Sequence, residues 1–174
     1  MFIELRRGII LRQGSFTAVI APEQVILSAF AAVPDLRRFL FLFLCGSSSR
    51  LLPWMDRTSE NFAVRRPLTA DQLLTELKKT GHTIIFIEHN PALFADGDRV
   101  LAPVAAALHA AGSTALLVLY APALDPSFAT LARHADRTIE ILLKQDPLVT
   151  RPYPGTMACR RGNVPAAQKT LGVL

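Results

Sequence analysis

The stretch 82-HTIIFIEHN-90 decides how this chain is read. Four consecutive apolar residues, Ile84 to Ile87, end in an acid, Glu88. Such an unbroken β-branched and aromatic run suits a strand covered on both faces, as in a parallel sheet. The acid then stands at the strand's C-terminal end, where α/β folds place their ligands. Working outward, residues 16–21 (FTAVIA), 38–44 (RFLFLFL), 115–120 (ALLVLY) and 138–143 (TIEILL) are further apolar runs of strand length.

Between these runs lie helical patterns. Pro22 suits a first helical position, with Val25, Ile26, Ala29 and Phe30 on one face of a helix that stops before Pro34. Thr69 and Gln72 form a capping box ahead of Leu73, Leu74 and Leu77. A third helix is expected from about Asp96 to Ala111, closed by Gly112, and a fourth is capped by Asp125 with Pro126 in its first turn. Residues 46–67 show no clear period and read as a long loop. The expectation is an α/β protein: a doubly wound, mainly parallel sheet of about five core strands with helices on both faces. Residues 1–143 would form this single domain, and 144–174 a basic C-terminal hairpin or tail.

Composition narrows the function classes. Half the 174 residues are hydrophobic and 19% are charged, which excludes disorder for most of the chain. The longest apolar run, Phe39 to Cys45, falls well short of the ~20 residues a membrane-spanning helix needs. The N-terminus shows no signal-peptide pattern. Cys45 and Cys159 lie too far apart for a metal-knuckle spacing, so the expected setting is the cytoplasm with reduced thiols. The net charge of +5 gathers at both ends of the chain. Arg151, Arg160, Arg161 and Lys169 in the tail are candidates for binding nucleic acid or an acidic partner.

The order of elements over residues 14–143 resembles the RecA/KaiC-like core of the P-loop ATPases. "GSFTAVIA" is similar to the family's first strand, "TIIFIEH" to its Walker B strand, "TALLVLYA" and "HADRTIEIL" to the two that follow. The resemblance implies that the Glu88 strand lies beside FTAVIA at the centre of the sheet, with Glu88 at the magnesium position. It also implies a Gly-Lys-Ser/Thr loop after the first strand, whose amides and lysine hold phosphate. That loop is missing. FTAVIA runs into 22-PEQVILSAF-30, with no glycine from Ser15 to Cys45 and no lysine before Lys78. Pro22 lacks an amide donor, and Glu23 places a negative charge where a phosphate would sit. The second strand ends in Cys45-Gly46-Ser47 where catalytic members carry a glutamate, and Glu88 stands where aspartate is the norm.

These departures argue against ATP hydrolysis, which depends on positioning plus Mg²⁺ and lysine electrostatics. Neither ATP nor magnesium is therefore expected as a cofactor. The leading expectation is a non-catalytic RecA/KaiC-like binding or regulatory module, working through oligomerisation or a partner protein and not through a membrane. A nucleotide-binding protein without hydrolysis, using the crevice near Glu23, Glu88 and His89, is a second reading.

A third reading is a thiol enzyme. The stretch 45-CGSSSR-50 resembles the active loop of rhodanese-type sulfurtransferases, with Cys45 as nucleophile and Arg50 stabilising its thiolate. Glu88, His89 and Asp125 could together do acid–base work if one crevice gathers them, although no metal-ligand spacing is present. His82, His109 and His134 are expected at the surface, and Trp54 and Phe62 either mark a partner surface or fold back onto the core.

Overall fold

A computed structural model describes residues 2–142, apart from 7, 34, 35, 80 and 96. An antiparallel hairpin, β1 (Phe2–Arg6) and β2 (Ile9–Arg12), precedes the main sheet. The sheet contains β3 (Ser15–Ile20), β4 (Phe41–Leu44), β5 (Phe62–Arg65), β6 (Ile84–Glu88), β7 (Leu116–Ala121) and β8 (Arg137–Glu140). All its strand pairs are parallel, in the spatial order β5-β4-β6-β7-β3-β8. Among the described residues the helices are α1 (Glu23–Ala31), α2 (Ala70–Lys78), α3 (Asp98–Gly112) and α4 (Pro126–Ala132). The expected α/β architecture is the one observed.

Alternate residues of each strand feed two separate cores. Ile85 and Ile87 of β6, Leu117 and Leu119 of β7, and Phe16 and Ala18 of β3 pack against α2, α3 and α4. Phe86, Val118, Tyr120 and Val19 face the other way, onto α1, the β1–β2 hairpin and residues 51–55. That second core is built round an aromatic stack in which Phe43, Phe86 and Tyr120 lie 5.4 and 5.7 Å apart. The helix after β3 thus covers one face and the helix after β7 covers the other. Because β3 and β7 are neighbours, their C-terminal ends form the switch point at which a crevice opens in such sheets.

Several local expectations change. The sheet has six strands: residues 46–67 contain a 3₁₀ turn, Leu52–Trp54, and then β5, which adds an edge to β4. Four residues are too few to display a period, so β5 was invisible in the pattern. Strand β4 starts at Phe41, because Leu36–Arg38 form a 3₁₀ turn. Strand β6 does not lie beside β3; β7 sits between them and pairs with both. Gly112 does not close α3 but belongs to its last turn, where a Cβ would lie 2.8 Å from the Cβ of Phe16. Glycine is required there by the close approach of α3 to β3. The tail of 144–174 lies outside the described residues. Among the described residues, no helix is long and apolar enough to cross a membrane.

Candidate functional site

The C-terminal ends of β3, β4, β6 and β7 bring together Glu23, Cys45, Arg50, Glu88 and Tyr120 on the α1 face. Glu88, the last residue of β6, points to this face because its register partner on β7 is Tyr120 and both follow the Phe86 side of the pleat. Its carboxylate is occupied by the loop that follows β4. The Arg50 amide donates to Glu88 Oε1 at 3.0 Å, and the Ser49 hydroxyl donates to Oε2. Ser49 Oγ in turn accepts from the Leu52 amide at 3.0 Å, which anchors the 3₁₀ turn. Glu88 therefore serves as the anchor of a neighbouring loop.

The turn after β3 carries the second element of the cluster. Only Ala21 and Pro22 separate β3 from α1, whereas a phosphate-binding loop of the Walker type spans eight residues. Pro22 occupies the N-cap position without any side-chain cap, and Glu23 fills the first turn. Its Oε1 accepts from Arg50 Nη1 at 3.2 Å. The space at this helix N-terminus thus holds a carboxylate with its own cation. In the turn itself the Ala21 amide donates to the Ala121 carbonyl at 3.3 Å, and Pro22 has no amide to offer an anion.

Cys45 and Arg50, the candidate thiolate and its cation, engage different partners. Cys45 is 2% exposed and forms part of the α1-side core. Burial pushes its thiol up from the ordinary 9.0, with Arg66 pulling the other way and Glu88 adding to the rise. The guanidinium that bears on the thiol is that of Arg66, while Arg50 is engaged with Glu23. A thiol enclosed in an apolar core and raised in pKa keeps its proton at neutral pH. Tyr120 is equally enclosed. Its hydroxyl finds no partner among the described residues, and burial, then Glu23 and Glu88, raise its pKa.

His89 and Asp125 form a separate cluster on the opposite face. One step beyond Glu88 in an extended chain, His89 turns toward α4, and its ring stacks on Phe94 at 5.5 Å and meets Phe128 edge-on at 5.4 Å. The expected meeting of Glu88, His89 and Asp125 in one crevice is therefore split by the pleat. Asp125 caps α4: its Oδ1 accepts from the Ser127 and Phe128 amides at 3.0 Å each and from Ser127 Oγ at 2.6 Å. Its Oδ2 lies 2.9 Å from His89 Nε2. Desolvation works to raise the Asp125 pKa, but the bonds from Ser127 and Phe128 and the nearby imidazole hold it low. Burial lowers the His89 pKa against the pull of Asp125, so the 2%-exposed ring is neutral and its Nε2–H donates to the carboxylate. Ser127 Oγ also lies 3.1 Å from His89 Nε2 while its own proton goes to Asp125, so imidazole, hydroxyl and carboxylate form one hydrogen-bonded cluster at the start of α4.

The remaining candidates are scattered. Trp54 is 75% exposed, while Phe62 stacks on Phe41 at 5.0 Å, so the two loop aromatics have different fates. Both line a groove of about 490 Å³ at the opposite end of β4 and β5 from Glu88, together with Phe30 and Phe39. His82 is not a surface residue on a helix: it precedes β6, half-buried, and burial lowers its pKa. His109 and His134 are exposed. Arg151, Arg160, Arg161 and Lys169 lie outside the described residues. No group of metal-ligating side chains occurs among the described residues. Sequence reasoning missed Ser49, Arg66 and Tyr120, whose roles depend on which strands are neighbours.

No known family model matches the chain. It is similar to an uncharacterized protein of Archaeoglobus fulgidus, with 36% identity over 127 residues. That match spans 72% of this chain and 64% of the relative, so the shared part is less than two thirds of the relative's length.

Proposed function

We propose that the chain is a RecA/KaiC-like domain that has ceased to hydrolyse ATP and works as a binding or regulatory module. The observation that carries the reading is the two-residue turn after β3, with Glu23 and Arg50 paired across the place where phosphates would lie. The anchoring of Glu88 by Ser49 and Arg50 supports it, since a carboxylate committed to two protein donors is poorly placed to hold magnesium. The exposed Trp54 and the apolar groove beneath it support work through a second protein, either another copy or a partner. The buried free thiol of Cys45 fits a reducing compartment such as the cytoplasm.

The test is phosphate release from Mg²⁺–ATP, alongside light scattering over a range of protein concentrations. The reading expects no release above buffer. Turnover abolished by Glu88→Gln would overturn it. A mass that rises with concentration would assign the partner as a second copy, and a constant monomer mass would assign it as a different protein.

A further inference from the structure

The geometry points to residues 46–50 as a strap that opens and closes over the strand-end cluster, tethered at its far end by the buried Leu51, with Glu88 as its main catch. This rests on the reading above, a domain that no longer hydrolyses ATP, and gives that site a means of regulation. The strap is gripped at two points of unequal strength. Glu88 takes both the Ser49 hydroxyl and the Arg50 amide, and Ser49 also receives the Leu52 amide. The outer grip is the Arg50–Glu23 pair, whose guanidinium is 73% exposed and therefore contributes little.

A close contact shows where the strap seats. A Cβ on Gly46 would stand 2.7 Å from Asn90 Nδ2, and Asn90 is itself fixed because its Oδ1 accepts from the Ala92 amide at 3.2 Å. The closed position therefore depends on having no side chain at residue 46. Close to it are the Cys45 thiol, whose pKa is affected by Arg66, Glu88 and Ser49, and the Tyr120 hydroxyl, which has no partner among the described residues. Opening gives both groups water and frees Glu88. Closing leaves the Tyr120 hydroxyl buried without a partner among the described residues. Such a segment belongs to the low-stability end of a fold, where local opening precedes global unfolding.

The experiment is the rate at which iodoacetamide modifies Cys45 in the full chain carrying Cys159→Ser, under native conditions and in low denaturant. Glu88→Ala should raise the rate about tenfold or more, the change expected from losing bonds to a charged acceptor. Glu23→Gln should raise it less than about fivefold, as an exposed pair allows. Gly46→Ala should raise it as well, without touching either carboxylate. The rates should depend only weakly on denaturant, the signature of a small opening. Rates that follow the full denaturant dependence of global unfolding, or that ignore all three substitutions, overturn the strap. Repeating the measurement with Mg²⁺–ATP separates the two readings. Protection by the nucleotide would sink the non-nucleotide reading and leave the strap standing, whereas unchanged rates in every variant without ATP protection would sink the strap alone.

Discussion

Glu88 and His89 are consecutive residues that serve opposite faces of one sheet. The carboxylate of Glu88 receives the Arg50 amide at 3.0 Å on the α1 side. His89 Nε2 reaches Asp125 Oδ2 at 2.9 Å on the α4 side. The period of two in an extended chain makes this separation unavoidable. What looked like one acid–base cluster is two structural ties, one holding the loop after β4 and the other holding the start of α4.

Replacing Glu88 should show the difference between losing a charge and losing an acceptor. Glu88→Gln keeps one oxygen and should cost roughly 1 kcal/mol, whereas Glu88→Ala strands Ser49 and Arg50 and should cost about 2–3 kcal/mol. Urea unfolding of the two variants checks the ranking. Equal and negligible effects would mean that the loop is not anchored there.

Asp125 should matter more than an ordinary cap. Loss of a capping aspartate costs about 1 kcal/mol, and here His89 would also lose its buried partner, so Asp125→Ala should cost about 2–4 kcal/mol. Asp125→Asn keeps an Oδ1 acceptor and should recover part of that loss. Thermal melts of the pair at pH 7.5 or so provide the measurement.

Acid should loosen the fold through its enclosed histidines. Burial lowers the pKa of His89 and of His82 from 6.5, so the unfolded chain takes up these protons more readily than the native state. Their contribution is complete above pH 6.5 and is lost as pH falls from there through the lowered native values. Asp125, also lowered, adds a further loss below 3.8. The melting temperature should therefore drop between pH 7 and pH 5, and the slope should be shallower in His89→Gln. An unchanged slope in that variant would contradict the enclosed, neutral imidazole.

Alkali should act through the other cluster with the opposite sign. The pKa values of Cys45 and Tyr120 are both raised, so stability is complete below their unfolded values, 9.0 and 10.0, and falls as pH rises above them. Tyr120→Phe removes a buried hydroxyl that has no partner among the described residues. It should stabilise the protein by about 1 kcal/mol at neutral pH and flatten the loss above pH 10 or so. A melt of this variant that falls below wild type would show that the hydroxyl is bonded after all.

Much of this fold was legible because its strands are buried on both faces. The runs around Phe16, Phe43, Phe86 and Val118 are apolar without alternation, and each is a central strand. The caps were legible too, since Thr69 Oγ1 accepts from the Gln72 amide and Asp125 caps α4 by local rules. Strand β5 was not, being a four-residue edge strand whose position depends on β4. Strand neighbours were equally hidden: nothing local in FTAVIA says that β7 and not β6 pairs with it. For the same reason Glu23 and Glu88 could be marked as charges in the wrong place for phosphate, while Arg50, which touches both, could not be assigned to them. That link exists only because the loop after β4 passes between α1 and β6.

The most direct measurement of the central claim is thermal unfolding with and without millimolar Mg²⁺–ATP. A ligand that binds the native state raises the melting temperature in proportion to RT ln(1 + [L]/Kd). With Glu23 and Arg50 occupying the turn after β3, the account predicts no shift at any ATP concentration. A saturable rise with ATP, lost in Glu88→Ala and absent with magnesium alone, would contradict it.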